Sequence, residues 1–193
     1  MKWFKEGTAR AIEDLAFAEL DNWPQAMSAP SSFNSQADNY LMNTNVDITS
    51  IPQRYNSALW WKYFTEQFGS DPDEPELGVD ALLRLWEAAE TLDDIAALNQ
   101  ALTNLGAGAN FDVAFRKFIA ANWLKDLGNQ PSSEYNYIDE DQTGNPDQYG
   151  PLFPTNGGAI STGSPATWSN QSVSRYGARY FSATPGGTCP VLN

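Results

Sequence analysis

The chain has 193 residues, with 11 Lys and Arg against 24 Asp and Glu, a net charge of −13 and a sequence pI of about 4.2. That is the length of one domain, or of one and a fragment, and 41% hydrophobic residues with 7 Trp, 8 Tyr and 10 Phe suffice for a sizeable core. An acidic field with no Lys/Arg cluster repels polyanions, so nucleic acid is not an expected partner; the absence of any His removes Ser-His-Asp triads, Cys-His dyads and histidine metal ligands, and a single cysteine, Cys189, permits no intrachain disulfide.

Residues 1–128 carry 9 basic and 19 acidic residues and repeated 3.6-residue periodicity, which predicts a helical region. The first helix is expected from Trp3 to Asn22, with Ala9, Ile12, Ala16 and Leu20 toward the core, before Pro24 ends it. Within it Glu6, Arg10 and Glu13 share a polar face, and Gly7 is the odd residue, because glycine inside a helix costs about 1 kcal/mol relative to alanine. A close approach by a neighbouring helix explains such a choice, with Ala9 and Ala11 small for the same reason. The second helix opens on Ser50-Ile51-Pro52-Gln53, a capping-box pattern, and carries Trp60, Phe64 and Phe68 at i, i+4, i+8 before Gly69. The third spans Pro75 to Glu90 with Leu82, Leu85, Trp86 and Ala89 inward; the fourth starts at Thr91 to Asp94 and stops at Gly106. The fifth takes Asn110 as its cap and runs through Phe111, Phe115, Phe118, Ile119 and Trp123 to Gly128. Core packing is the expected role of Trp60, Trp86 and Trp123, whereas Trp168 and Tyr149 are better placed for exposure.

Residues 129–193 differ in kind. Gly, Pro, Ser, Thr and Asn make up 35 of these 65 positions, so helix is not expected and the segment reads as an irregular tail. Its best strand is 174–181, with Tyr176, Ala178 and Tyr180 on one face, packing back on the helices or opening a β domain. Asp139, Asp141 and Asp147 lie in an acidic, turn-rich loop with oxygen ligands at alternate positions and Gly144 sixth, as in a calcium loop. Position twelve is Gly150 instead of Glu, which makes a plain acidic loop the stronger reading. No stretch approaches the roughly 20 apolar residues of a membrane helix, and the N-terminus has no secretory h-region.

Trp3, Glu6, Gly7, Ala9 and Glu13 form the pattern Trp-x-x-Glu-Gly-x-Ala-x-x-x-Glu. It resembles the second signature of gluzincin zinc metallopeptidases, the thermolysin-like and aminopeptidase-like clan. Tyr55 to Phe64 followed by Phe68-Gly69, and Phe111 to Leu124, are similar to later helices of secreted members; the resemblance covers residues 3 to about 125, and Tyr176 to Tyr180 fits the strand that follows. It implies a mainly α fold, the five-helix C-terminal subdomain of a gluzincin-like catalytic domain followed by a tail with a short β segment. Glu6 is implied as the third zinc ligand, with Gly7, Ala9 and Glu13 in helix packing or support of the ligands. The other two ligands and the general base would come from an upstream His-Glu-x-x-His helix that this chain does not contain. The implied protein is a secreted, extracellular peptidase acting on peptide or protein substrates, of which this polypeptide supplies one ligand and is inactive alone. The competing reading is a non-catalytic helical binding or structural module on a protease-like scaffold. On the residues alone, Glu6 is also an ordinary acidic residue in a helix's first turn, where it complements the macrodipole.

Overall fold

The computed structural model describes residues 2–16, 40–41, 43–50, 55–69, 78–124, 133–135, 159–161, 172–180 and 182–184. Among these the protein is mainly α, with five helices: α1 (Lys2–Ala16), α2 (Ala58–Phe68), α3 (Val79–Ala89), α4 (Asp94–Asn104) and α5 (Phe111–Leu124). A 3₁₀ turn, Ser133–Tyr135, leans on α5, and β1 (Ala159–Ser161) pairs in parallel with β2 (Ser182–Thr184).

The centre is α2. Every residue from Ala58 to Glu66 on it is buried, because α1, α3 and α5 surround a helix whose sequence is aromatic on more than one side. Trp60 meets Phe111 and Phe118 edge to face at 5.0 and 5.5 Å, and Trp61 lies 4.8 Å from Trp3 and 5.0 Å from Phe4. Such pairs add directional attraction to the area they bury, which makes this layer the main source of cohesion. Two charged residues are enclosed with it: Lys62 and Glu66, one turn apart, are 3.8 Å from each other with side chains 2% and 3% exposed. An ion pair at that depth stabilises weakly while intact and costs several kcal/mol when one partner is removed.

α2 and α3 start later than their sequence signals suggest, and the expected ends of α1 at Asn22 and of α5 at Gly128 lie outside the described residues. Tyr55 to Ser57 form a turn, so α2 begins at Ala58, and α3 begins at Val79 after Gly78. Gly78 has φ of 105°, and a Cβ there would overlap the Thr65 carbonyl, so α3 can cross the end of α2 only with glycine at this position. The expected cap of α5 is present: the Val113 amide donates to Asn110 Oδ1 at 3.0 Å.

The described segment 172–180 of the tail lies against the helical region. Residues 172–180 run beside 43–48: the Ala178 amide donates to the Thr44 carbonyl at 2.8 Å, Thr44 Oγ1 donates to the Ala178 carbonyl at 3.0 Å, and the Ile48 amide donates to the Tyr176 carbonyl at 3.3 Å. Tyr176 packs 4.8 Å from Phe111, and Tyr180 donates its hydroxyl to the Ile119 carbonyl at 2.7 Å. Over the described residues 174–180 the expected strand is instead a turn at Arg175 and Tyr176 followed by chain without regular secondary structure, and β2 begins at Ser182. Tyr176 takes φ of 49°, which turns the chain there and interrupts regular pairing. Trp123 is corrected as well: it is 38% exposed and stacks at 15° on Tyr180, held outside the core at the end of α5.

Burial raises the pKa of three tyrosines. Tyr40 is raised by desolvation and then by Tyr180; Tyr63 by desolvation and then by Glu134, Tyr135 and Glu66; Tyr180 by desolvation, opposed by its hydrogen bond with Asn122. For an acid whose folded pKa is raised, the stabilisation is whole below the unfolded value near 10 and is lost as pH climbs above it. With three such groups, stability should fall by about 4 kcal/mol per pH unit above about pH 10. Thermal unfolding followed from neutral to strongly alkaline pH, with tyrosinate absorbance recorded in parallel, checks this. Three tyrosines should ionise only as the fold is lost, and titration of all of them before unfolding would contradict the burial.

Candidate functional site

The candidate site is built on α1. Its buried side is Trp3, Phe4, Gly7, Thr8 and Ala11, spaced i, i+1, i+4, i+5, i+8, while Lys2, Lys5, Ala9 and Ile12 are exposed and Glu6 and Arg10 are half-buried. Ala9 and Ile12 were expected toward the core, and the structure reverses this, with Ile12 44% exposed. The physical reason is the aromatic pair Trp3-Phe4, whose burial sets the rotation of the helix and outweighs the alanine and isoleucine stripe.

Gly7 has the role its position suggested, and the neighbour belongs to this same chain. A Cβ at Gly7 would overlap Ser57 Oγ and the Cδ1 and Nε1 atoms of Trp61, so the start of α2 lies directly against the α1 backbone. Ser57 Oγ also donates to the Trp3 carbonyl at 3.4 Å, and Thr8 Oγ1 folds back to donate to the Phe4 carbonyl at 2.7 Å. At the first turn the Trp3 indole donates to Asp94 Oδ1 at 3.2 Å, tying α1 to the first residue of α4. Asp94 has φ of 44°, a conformation costing about 1 to 3 kcal/mol outside glycine and best tolerated by Asp and Asn.

Glu6 stands between these two anchors, one residue before Gly7 and three after Trp3. Among the described residues its side chain makes no hydrogen bond or ion pair. Arg10, the natural i+4 partner, places its guanidinium over the Tyr55 ring at 5.7 Å. Glu13 is within α1, but its side chain lies outside the described residues, as do Asp139, Asp141 and Asp147 and the aromatic candidates Trp168 and Tyr149.

Zinc in a peptidase site needs three protein ligands and an open position. Among the described residues no group of three His, Cys, Asp or Glu side chains could hold a metal ion. These residues therefore do not form a zinc site by themselves. Glu6 is a half-buried carboxylate on a helix seated at Trp3 and Gly7, with no polar side-chain partner among the described residues.

Two open cavities flank the helices. One of about 350 Å³ lies between the end of α2, the α4–α5 loop and the 3₁₀ turn, beside the Lys117–Glu134 ion pair; Tyr63 donates its hydroxyl to the Glu134 carbonyl there. The other, about 310 Å³, is lined by Trp3, Thr49, Asp93, Asp94, Arg175 and Tyr176. Sequence reasoning missed the Trp3–Asp94 link, for which spacing gives no signal across 91 residues. It also passed over Lys62 and Glu66, although opposite charges at i, i+4 in an otherwise apolar helix were legible.

Comparison of the chain with protein-family models, with curated proteins and with solved structures finds no match.

Proposed function

We propose that this chain is the C-terminal helical half of a gluzincin-type zinc metallopeptidase domain, secreted and acting on peptide or protein substrates, in which Glu6 supplies one zinc ligand. The observation that carries the reading is Glu6 itself. It is half-buried, without a polar partner among the described residues, next to the glycine that seats α1 on α2. The exposed stripe of Ala9 and Ile12 on the same helix supports it, since a small and an apolar residue side by side suit a packed neighbour carrying the remaining ligands. Zinc, when bound, supplies Lewis-acid activation of water and of the peptide carbonyl. This chain's part is to hold the Glu6 carboxylate still, through Gly7 and Trp3. The histidine ligands must come from outside this sequence, which has none.

The test uses the protein as isolated from its source, together with whatever segment carries His-Glu-x-x-His. Elemental analysis should find one zinc per copy, and Glu6→Gln should lower zinc affinity by more than about 100-fold. Zinc retained at parental affinity in Glu6→Gln would end the assignment.

A second reading, a non-catalytic helical binding or structural module, is favoured by one observation: the aromatic core closes around α2 as a single cluster. Such a module should melt in one cooperative transition and leave hydrophobic dye unbound. A severed half should bind dye through the α1 stripe.

A further inference from the structure

We infer that Asp94 is a positioning residue for α1, an acceptor held in a left-handed backbone conformation so that it can fix the Trp3 indole and, through it, the helix that carries Glu6. Its importance for a metal site rests on Glu6 being a ligand as proposed above; its hold on α1 does not. Three observations converge. Asp94 and Tyr176 are the two non-glycine residues with positive φ among those described, so the Asp94 geometry is maintained against its own preference. Its Oδ1 accepts from Trp3 Nε1 at 3.2 Å, and Trp3 is 2% exposed, packed between Trp61 at 4.8 Å and Phe111 at 6.3 Å. Trp3 lies three residues before Glu6, close to one helical turn, whereas the Gly7 contact with Ser57 and Trp61 anchors the helix just after it. A helix fixed on both sides of one residue has little freedom to rotate at that residue. Local strain of this kind persists only where surrounding contacts over-determine it.

Glycine, alanine and asparagine at position 94 separate the possible roles. Asparagine keeps the acceptor oxygen and tolerates positive φ; glycine tolerates the backbone but has no acceptor; alanine has neither. In the 193-residue chain, hydrogen exchange of the Trp3 indole and of the Glu6, Gly7, Thr8 and Ala11 amides is followed by NMR. Asp94→Gly should speed exchange of the indole and of these amides about tenfold, with Asp94→Ala at least as fast, and Asp94→Asn should restore values near the parent. If Asp94→Gly leaves the indole protected, Asp94 serves backbone geometry alone and the inference fails. It fails equally if the indole responds while the α1 amides do not. In the intact zinc-bound protein, Asp94→Gly should weaken zinc about tenfold with Asn as the rescue. Unchanged zinc affinity in Glu6→Gln would overturn the ligand assignment alone, and exchange in the Asp94 series would still decide the hold on α1.

Discussion

Gly7→Ala is expected to lower stability by about 2 to 3 kcal/mol, even though alanine is the better helix former by about 1 kcal/mol. The sign is decided by what surrounds the new methyl group. It would overlap Ser57 Oγ and the Trp61 indole, and Trp61 has no room to retreat, with Trp3 at 4.8 Å, Phe4 at 5.0 Å and Phe64 at 5.8 Å from its ring. Interiors packed at crystal-like density transmit such an overlap to the backbone, here by pushing α1 away from α2. Ala9→Gly, two residues on and exposed, is the matched control: it should cost only the propensity difference of about 1 kcal/mol. Urea unfolding of the two variants checks both values. A Gly7→Ala protein more stable than the parent would mean that α1 and α2 do not touch here. The functional consequence follows from position, because Gly7 adjoins Glu6: a helix displaced at Gly7 carries the candidate ligand with it. If Glu6 is a zinc ligand as proposed, zinc affinity of the intact protein should fall in Gly7→Ala and hold in Ala9→Gly.

That contrast also marks what the sequence could convey. Helix existence was legible where aromatic or leucine residues recur at i, i+3 and i+4, as in Trp60 and Phe64, Leu82 and Leu85, or Phe111, Phe115 and Phe118. The rotation of α1 was not legible, since Trp3 and Phe4 stand at its beginning and weigh little in a stripe count, yet their burial decides which side faces α2. Gly7 signalled a close approach, and its partner could be any helix until three dimensions supplied Ser57 and Trp61. Long-range polar links carry no local pattern at all. Trp3 to Asp94, Thr44 to Ala178 and Tyr180 to Ile119 join residues whose neighbours in sequence say nothing of one another. For the same reason the tail reads as loosely composed, while Tyr176 proves to be wall-to-wall with Phe111 and Phe115. Glu6 was legible as a candidate from its flanking pattern; its lack of a polar partner among the described residues was not, because spacing offers Arg10 to Glu6 or Glu13, and the Arg10 guanidinium lies over the Tyr55 ring.

The deepest cut is expected at Trp60. Its ring lies within 6.3 Å, centroid to centroid, of Trp61, Tyr63, Phe64, Phe111, Phe115 and Phe118, joining α2 to α5. Trp60→Ala should cost about 4 to 5 kcal/mol, within the range of large-to-small changes in rigid cores and a large share of a typical domain's 5 to 15. The hole cannot collapse readily, because aromatic rings on all sides brace one another. Trp60→Phe is the informative companion. The indole Nε1 is buried without a hydrogen-bond partner among the described residues, so its removal relieves a desolvation penalty at the same time as it deletes packed atoms. The two effects oppose, and the net loss should be about 1 kcal/mol, well below what the lost volume alone implies. A Trp60→Phe loss close to that of Trp60→Ala would mean that the indole N–H is satisfied in solution and that the layer beneath α1 is wetter than its geometry indicates. Because α1 rests on this layer through Trp61, that result would also weaken the case that Glu6 is rigidly held. The small loss expected for phenylalanine would support a dry, braced aromatic floor under the candidate ligand.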